Sequence, residues 1–217
     1  MIIDIHVHER THSLDSFLAL DDIVHRSRQM GLDAVCITDH DSMGLADRAR
    51  RVSRKTGFPL FLGVEVSTHE GDILVFGLKE VPRRRIHAAE LLKQVERHGA
   101  VAVAAHPYRI TARSLGDLVH RLPLLSGIEG LNGNTPTSLN RRARKAAHQL
   151  GLPVLGGSDA HYLPRLGKFA TRFPDGMRDE QDLVQAIHAG QVAPLHHHQG
   201  RYEPVDGMDD GGRPVAV

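Results

Sequence analysis

Along this chain, short runs of β-branched and apolar residues keep giving way to amphipathic stretches of helical period. That alternation narrows the fold more than any other feature. Ile2–Val7 reads as a strand, and Leu20–Met30 follows as a helix with Leu20, Ile23 and Val24 on one face and Gly31 as its stop. Ala34–Thr38 and Leu45–Lys55 repeat the pair. Pro59–Ser67 and Ile73–Leu78 read as two consecutive strands joined by the turn His69-Glu70-Gly71-Asp72. Ala88–His98 is helical along Leu91, Leu92 and Val95, and Val101–Ala105 is a strand. Ser114 with Asp117 spells a capping box for a short helix through Arg121. Gly127–Leu131, Ser138–Leu150, Pro153–Gly156, Asp179–Ala189 and Val192–Leu195 continue as strand, helix, strand, helix and strand.

Strands separated by helices of about 10–15 residues predict βα units and a mainly parallel sheet. About seven such units suit a single closed or distorted barrel better than two domains. An open doubly wound sheet is the alternative, although no G-x-G-x-x-G follows the first strand. Residues 1–195 are expected to form this one domain. Residues 196–217, with Pro, Gly, Asp and a histidine triplet but no periodicity, are expected to be a poorly ordered tail.

Composition closes several doors. The net charge of +1 gives no reason for indiscriminate nucleic-acid binding, and no apolar run approaches a membrane span. The start lacks the pattern of a secretory signal, and one cysteine, Cys36, excludes an intrachain disulfide framework, so a cytoplasmic location is expected. Cys36 sits mid-strand, where an inert buried thiol outweighs a nucleophile. Sixteen histidines among 217 residues is a high share, and their placement matters.

Asp4-Ile5-His6-Val7-His8 puts polar groups at alternate positions of an apolar strand, so that His6 and His8 share a face and can converge on one metal ion. Alone, such a pair reads more readily as two half-exposed imidazoles on an edge strand. Its recurrence is what counts. Asp39-His40 follows the second strand, Glu65 ends the third, His106 ends a later one in Ala-His-Pro, and Asp159 and His161 close the last in Gly-Ser-Asp-Ala-His. In a parallel barrel these strand ends form a single rim, where active sites are built.

These motifs, in this order, resemble the four-motif signature of the polymerase and histidinol phosphatase (PHP) superfamily, over about three quarters of the chain from Asp4 to His161. The resemblance implies a distorted (β/α)7 barrel, TIM-barrel-like, and a cluster of two or three divalent ions (Mn, Fe or Zn). It implies that His6, His8 and Asp159 hold the first ion, that Glu65 bridges to the second with His106, and that His40 and His161 hold the third with an acid soon after His8. Asp15 is the candidate acid and His12 its rival. Relatives usually carry a histidine where this chain has Asp72, so either Asp72 or His69 completes the second site, or that ion is lost. Asp72 would favour Mn²⁺ or Fe²⁺ over Zn²⁺. Asp4 and Asp39 are placed to accept ring N–H groups of ligand histidines, or merely to end strands.

Small relatives act mainly on phosphate esters, which makes a metal-dependent phosphoesterase the leading expectation. Its substrate would be a phosphomonoester, a nucleotide or the 5′ end of a short oligonucleotide, attacked by a metal-bridging hydroxide. Glu65 and Asp159 are expected at the catalytic centre. His161 or His40, if not fully committed to metal, would protonate the leaving oxygen, Arg109 would grip the phosphate, and Arg165 is a weaker second cation. Hydrolysis of an amide or lactone, or a non-catalytic metal-stabilised scaffold, are the alternatives. Neither a membrane nor an obligate protein partner is expected. His196-His197-His198, Arg83-Arg84-Arg85 and the run Arg141, Arg142, Arg144 and Lys145 read as solvated surface.

Overall fold

The computed structural model describes residues 1–205. Its strands are β1 (Ile2–Val7), β2 (Ala34–Ile37), β3 (Leu60–Ser67), β4 (Asp72–Phe76), β5 (Val101–Ala104), β6 (Gly127–Asn132), β7 (Val154–Gly157), β8 (Phe169–Arg172), β9 (Ala193–His198) and β10 (Arg201–Pro204). The α-helices are α1 (Leu20–Met30), α2 (Ala46–Thr56), α3 (Ala88–Arg97), α4 (Thr137–Leu150) and α5 (Glu180–His188). Gly31, Gly57 and Gly151 end α1, α2 and α4 in the left-handed conformation that glycine adopts at least cost.

One curled sheet runs β10-β9-β8-β1-β2-β3-β4-β5-β6-β7. Strands β1, β2 and β3 pair in parallel, as do β5, β6 and β7, while β4 runs antiparallel between the two sets. The ring closes where the chain past β7 meets the end of β1, through the parallel bridge Val7 to Ala160 and two backbone bonds, Asp159 N to His6 O (2.8 Å) and His8 N to Ala160 O (3.1 Å). Lower down β8 wedges into the gap, antiparallel to β1 and joined to Gly156 through the Thr171 hydroxyl. The result is the distorted seven-stranded barrel that the resemblance implies.

Alternation divides the core. Ile3, Ile5, Cys36, Phe61, Leu74, Phe76, Val103 and Leu155 fill the interior, and α5 plugs the lower end with Leu183, Val184 and Ile187. Burying each of these three contributes about 1.5–3 kcal/mol. The outer faces of β1–β3 pack under α1 and α2, and those of β3–β6 under α3 and α4.

Three features depart from the sequence reading. Residues 196–205 are not a loose tail. β9 extends through His198 and pairs with β10 across Gln199 and Gly200, both at positive φ (47° and 84°), the twist a tight hairpin needs. Residues 206–217 of the expected tail lie outside the described residues. Second, β8 carries no alternation in Phe-Ala-Thr-Arg and is held by its neighbours' backbones. Third, the capping box does not form. Gly116–Arg121 is a 3₁₀ turn with Leu115 at its N-cap, Ser114 bonds to His106 O, and Asp117 pairs with Arg142. No helix among the described residues is long and apolar enough to cross a membrane.

Candidate metal centre

Two irregularities in strand pairing aim side chains at the rim. In β1, Asp4 pairs with Val35 and Val7 with Ile37, so two residues of β1, Ile5 and His6, oppose the single Cys36. Above this bulge His6 and His8 turn inward together, while Asp4 is left on the other face. A matching shift in β6, between Glu129 and Leu131, turns both Glu129 and Asn132 inward. His106 and Asp159 adopt positive φ (30° and 52°), strained for residues with a Cβ, as each strand ends.

The six innermost groups, His6, His8, Glu65, Asp72, His106 and Asp159, are all buried. Nε2 of His6 lies 3.5 Å from both Glu65 Oε2 and Asp159 Oδ1, and Nε2 of His8 lies 3.4 and 3.3 Å from the same atoms. Beside them His106 Nε2 is 2.9 Å from Glu65 Oε1 and 4.0 Å from Asp72 Oδ2, so Glu65 faces both groups. At the mouth Asp15 Oδ2 stands 3.3 Å from His40 Nε2 and 3.4 Å from His161 Nε2. Asp15 therefore meets the cluster, whereas His12 contacts Ser42 and does not. Asp72 points inward along the face of Leu74 and Phe76, whereas His69 is exposed, with its ring tilted against that of His87.

The groups that orient these imidazoles are partly unexpected. His6 Nδ1 faces Glu129 Oε1 at 2.9 Å, and the other oxygen of Glu129 accepts from His106 N (2.8 Å) and Asn132 Nδ2 (3.0 Å). Glu129 is thus the partner of His6 that the sequence reading gave to Asp4. Asp4 instead accepts the backbone N–H groups of His6, Ser158 and Gly167, because the bulge turns it away from the ring. Asp39 reaches its histidine only indirectly: it accepts from Ser13 Oγ (2.8 Å), which lies 3.2 Å from His8 Nδ1. His161 Nδ1 sits 3.0 Å from Asp159 O.

Electrostatics follow from burial. Burial alone would depress His6, but Glu129, Asp159 and Glu65 outweigh it and hold its pKa well above the ordinary imidazole value. Burial dominates at His8, whose pKa falls to about 4. For Glu65 and Asp159 burial works upward and is overcome by the imidazoles, above all His6, so both stay well below the usual carboxylate range. Asp72 is pushed up to about 6 by burial and by Glu65, against Arg113 and His106.

Nε2 of His6, His8 and His40 are shielded from solvent without a hydrogen-bond partner, while Glu65 Oε2 lies 2.8 Å from His40 Nδ1 and Asp72 Oδ2 lies beside Arg113. Unpartnered buried polar atoms are costly, and these point at one another across gaps that a cation would fill. Imidazoles mixed with carboxylates suit Zn²⁺, Mn²⁺ or Fe²⁺. The residues present therefore fit a cluster of divalent ions.

Three arginines differ in their relation to this cluster. Arg109 NH1 is 2.6 Å from Asp159 Oδ2. Arg113, absent from the sequence reading, sets Nε 2.7 Å from Asp72 Oδ2, brings a guanidinium nitrogen 3.0 Å from His40 Nδ1 and donates to Ser67 Oγ. Arg165 is exposed and makes no hydrogen bond or ion pair with the cluster among the described residues. Two residues past Asp15 and one past His161, the rings of Phe17 and Tyr162 stack at 5.0 Å and lie 66% and 54% exposed.

A family model described as PHP domain matches residues 4–137, and one described as PHP-associated matches residues 137–192. An uncharacterized protein of Methanocaldococcus jannaschii is 26% identical over 138 residues, which is 59% of this chain and 80% of that protein. Among solved structures, a proposed metal-dependent phosphoesterase from Bifidobacterium adolescentis superimposes with a TM-score of 0.66 at 19% identity, covering 85% of this chain and 95% of the other. The lesion-specific endonuclease of Pyrococcus furiosus also gives 0.66, at 18% identity, covering 96% of this chain and 59% of its own. At such identities the two structures share a fold.

Proposed function

Because the chain belongs to the PHP domain family, we propose that it is a metal-dependent phosphoesterase, acting on nucleotides or on the 5′ end of short oligonucleotides. The observation that carries this reading is the gathering of ligand atoms at the rim into three overlapping groups, His6, His8 and Glu65, then Glu65, Asp72 and His106, then His8, His40 and His161, each group within 4.8 Å. His6, His8 and Asp159 would hold a first ion, Glu65 would bridge it to a second at Asp72 and His106, and His40, His161 and Asp15 would hold a third. Bound there, the ions supply Lewis acidity toward the phosphoryl oxygens and make an attacking water easier to ionise.

The chain's own groups do the rest. Arg109 is fixed on Asp159 through NH1, and its Nε is buried without a partner. A substrate phosphate oxygen can accept from it, which orients the ester at the cluster. His161, braced by Asp159 O, turns Nε2 toward the mouth, where it would either ligate the third ion or, with that ion absent, return a proton to the leaving oxygen. The exposed Phe17–Tyr162 stack favours a flat leaving group, because a nucleobase stacks on an aromatic face whatever its sequence.

The test is a metal-supplemented screen of phosphomonoesters, nucleoside mono- and bisphosphates and short 5′-phosphorylated oligonucleotides. Phosphate release by the wild type, lost in Glu65→Gln, supports the reading. A protein carrying its ions that cleaves no phosphate ester overturns it. Phe17→Ala should raise KM for nucleotides and leave small phosphomonoesters unchanged.

A further inference from the structure

The terminal hairpin, at the far edge of the sheet from β7, gathers a second donor set. His196 and His198 stand two apart in β9 and share a face, and Glu203 of β10 lies directly across from His196. His197 takes the opposite face, edge-on to Tyr202, whose hydroxyl donates to Gly167 O (2.7 Å). One ligand atom from each of His196, His198 and Glu203 lies within 4.8 Å of the other two.

The hydrogen bonds have already prepared these groups. Nδ1 of His196 donates to the backbone carbonyl of Glu203 (3.2 Å), which leaves the lone pair on Nε2. That Nε2 is shielded from solvent and has no hydrogen-bond partner. Glu203 divides its carboxylate. Oε1 receives Arg201 Nε at 2.5 Å, while Oε2 faces His198 Nδ1 at 3.8 Å.

We propose that His196, His198 and Glu203 form a second, independent metal site, which takes one transition-metal ion of the Zn²⁺ or Ni²⁺ class. Two imidazoles with one carboxylate match such ions, whereas Mg²⁺ and Ca²⁺ demand oxygen ligands. The bound ion joins β9 to β10 across the hairpin and pins the free edge of the sheet.

The experiment uses the untagged full chain, dialysed against Zn²⁺, with total transition metal counted per chain by elemental analysis. His196→Ala combined with His198→Ala should hold one ion fewer than wild type, and Glu203→Gln should bind that ion more weakly. In a His6→Ala/His8→Ala background the hairpin ion should persist, which separates this site from the rim cluster. Equal metal totals in the wild type and the hairpin variant would overturn the proposal. Should the alanine pair disturb the hairpin, His198→Gln, which is closer to histidine in volume, gives the same comparison with the same two outcomes.

Discussion

Replacing Glu129 with Gln should cost metal affinity through the proton on His6 rather than through any lost ligand. Three donors converge on the carboxylate: His6 Nδ1 at 2.9 Å, His106 N at 2.8 Å and Asn132 Nδ2 at 3.0 Å. Glutamine keeps the volume but has only one accepting oxygen. If that oxygen turns to His6, the amide NH₂ meets the other two donors, and each buried donor left unpaired costs about 1–3 kcal/mol. If it turns to His106 and Asn132, the NH₂ meets His6, whose Nδ1 must then accept and whose proton moves to Nε2. The second arrangement strands no donor and therefore wins, and it removes the lone pair that faces Glu65 and Asp159. Losing such an orienting partner typically costs 10–100-fold in metal affinity, or about 1.4–2.7 kcal/mol. Calorimetric titration of the metal-free protein, above the pH at which His6 titrates, isolates this effect from proton competition. A first-ion Kd within twofold of wild type, with an unchanged circular dichroism spectrum, would refute the tautomer argument.

Three further outcomes are expected. Glu65→Gln should leave the fold intact, as judged by its thermal unfolding, and remove most hydrolysis, since a neutral amide bridges two cations poorly; near-wild-type kcat would contradict the bridging role. Asp72→Ala should lower metal content by about one ion, and Asp72→His should restore it with a shift toward Zn²⁺; an unchanged stoichiometry on elemental analysis would mean that Asp72 serves only Arg113. Loading should depend on pH in a definite sense. His6 is raised above its ordinary pKa and so carries a proton in the metal-free protein, whereas His8, at about 4, carries none near neutrality. The first ion must therefore expel the His6 proton, and its apparent affinity should rise up to about tenfold per pH unit until His6 has titrated. Affinity that is flat across that range would argue that His6 stays out of the site.

Much of the barrel was legible because its period signals are strong. Ile2–Val7 and Leu20–Met30 have the boundaries their patterns predict. The rim residues were legible for another reason: ligand-type side chains at the ends of apolar runs have few structural uses. What escaped depends on tertiary approach. Glu129 stands in Gly-Ile-Glu-Gly-Leu-Asn, and only its charge in the middle of an apolar strand hinted at a buried partner. Arg113 belongs to a loop of no regular structure and reaches Asp72 because that loop returns past the β3–β4 turn, where Leu115 lies against Gly71. Asp4 shows the reverse error. Period-two reasoning put it with His6 and His8, and the bulge at Ile5 and His6, which no local signal announces, separated them.

The closure between β1 and the chain after β7 has a consequence for how the molecule breathes. Every other neighbouring pair in the ring shares a ladder, but this seam has a single bridge and a few hydrogen bonds between residues more than 150 positions apart. Contacts of that span are the slowest to form, and this seam has few of them to hold it shut. His6 and His8 stand on one lip of the seam and Asp159 on the other, so an ion held by all three spans it. Chelation should then do more than empty a site. It should let the barrel part along this line, with amide exchange quickening at His8, Asp159 and Ala160 while the amides inside the β3–β4 hairpin stay protected.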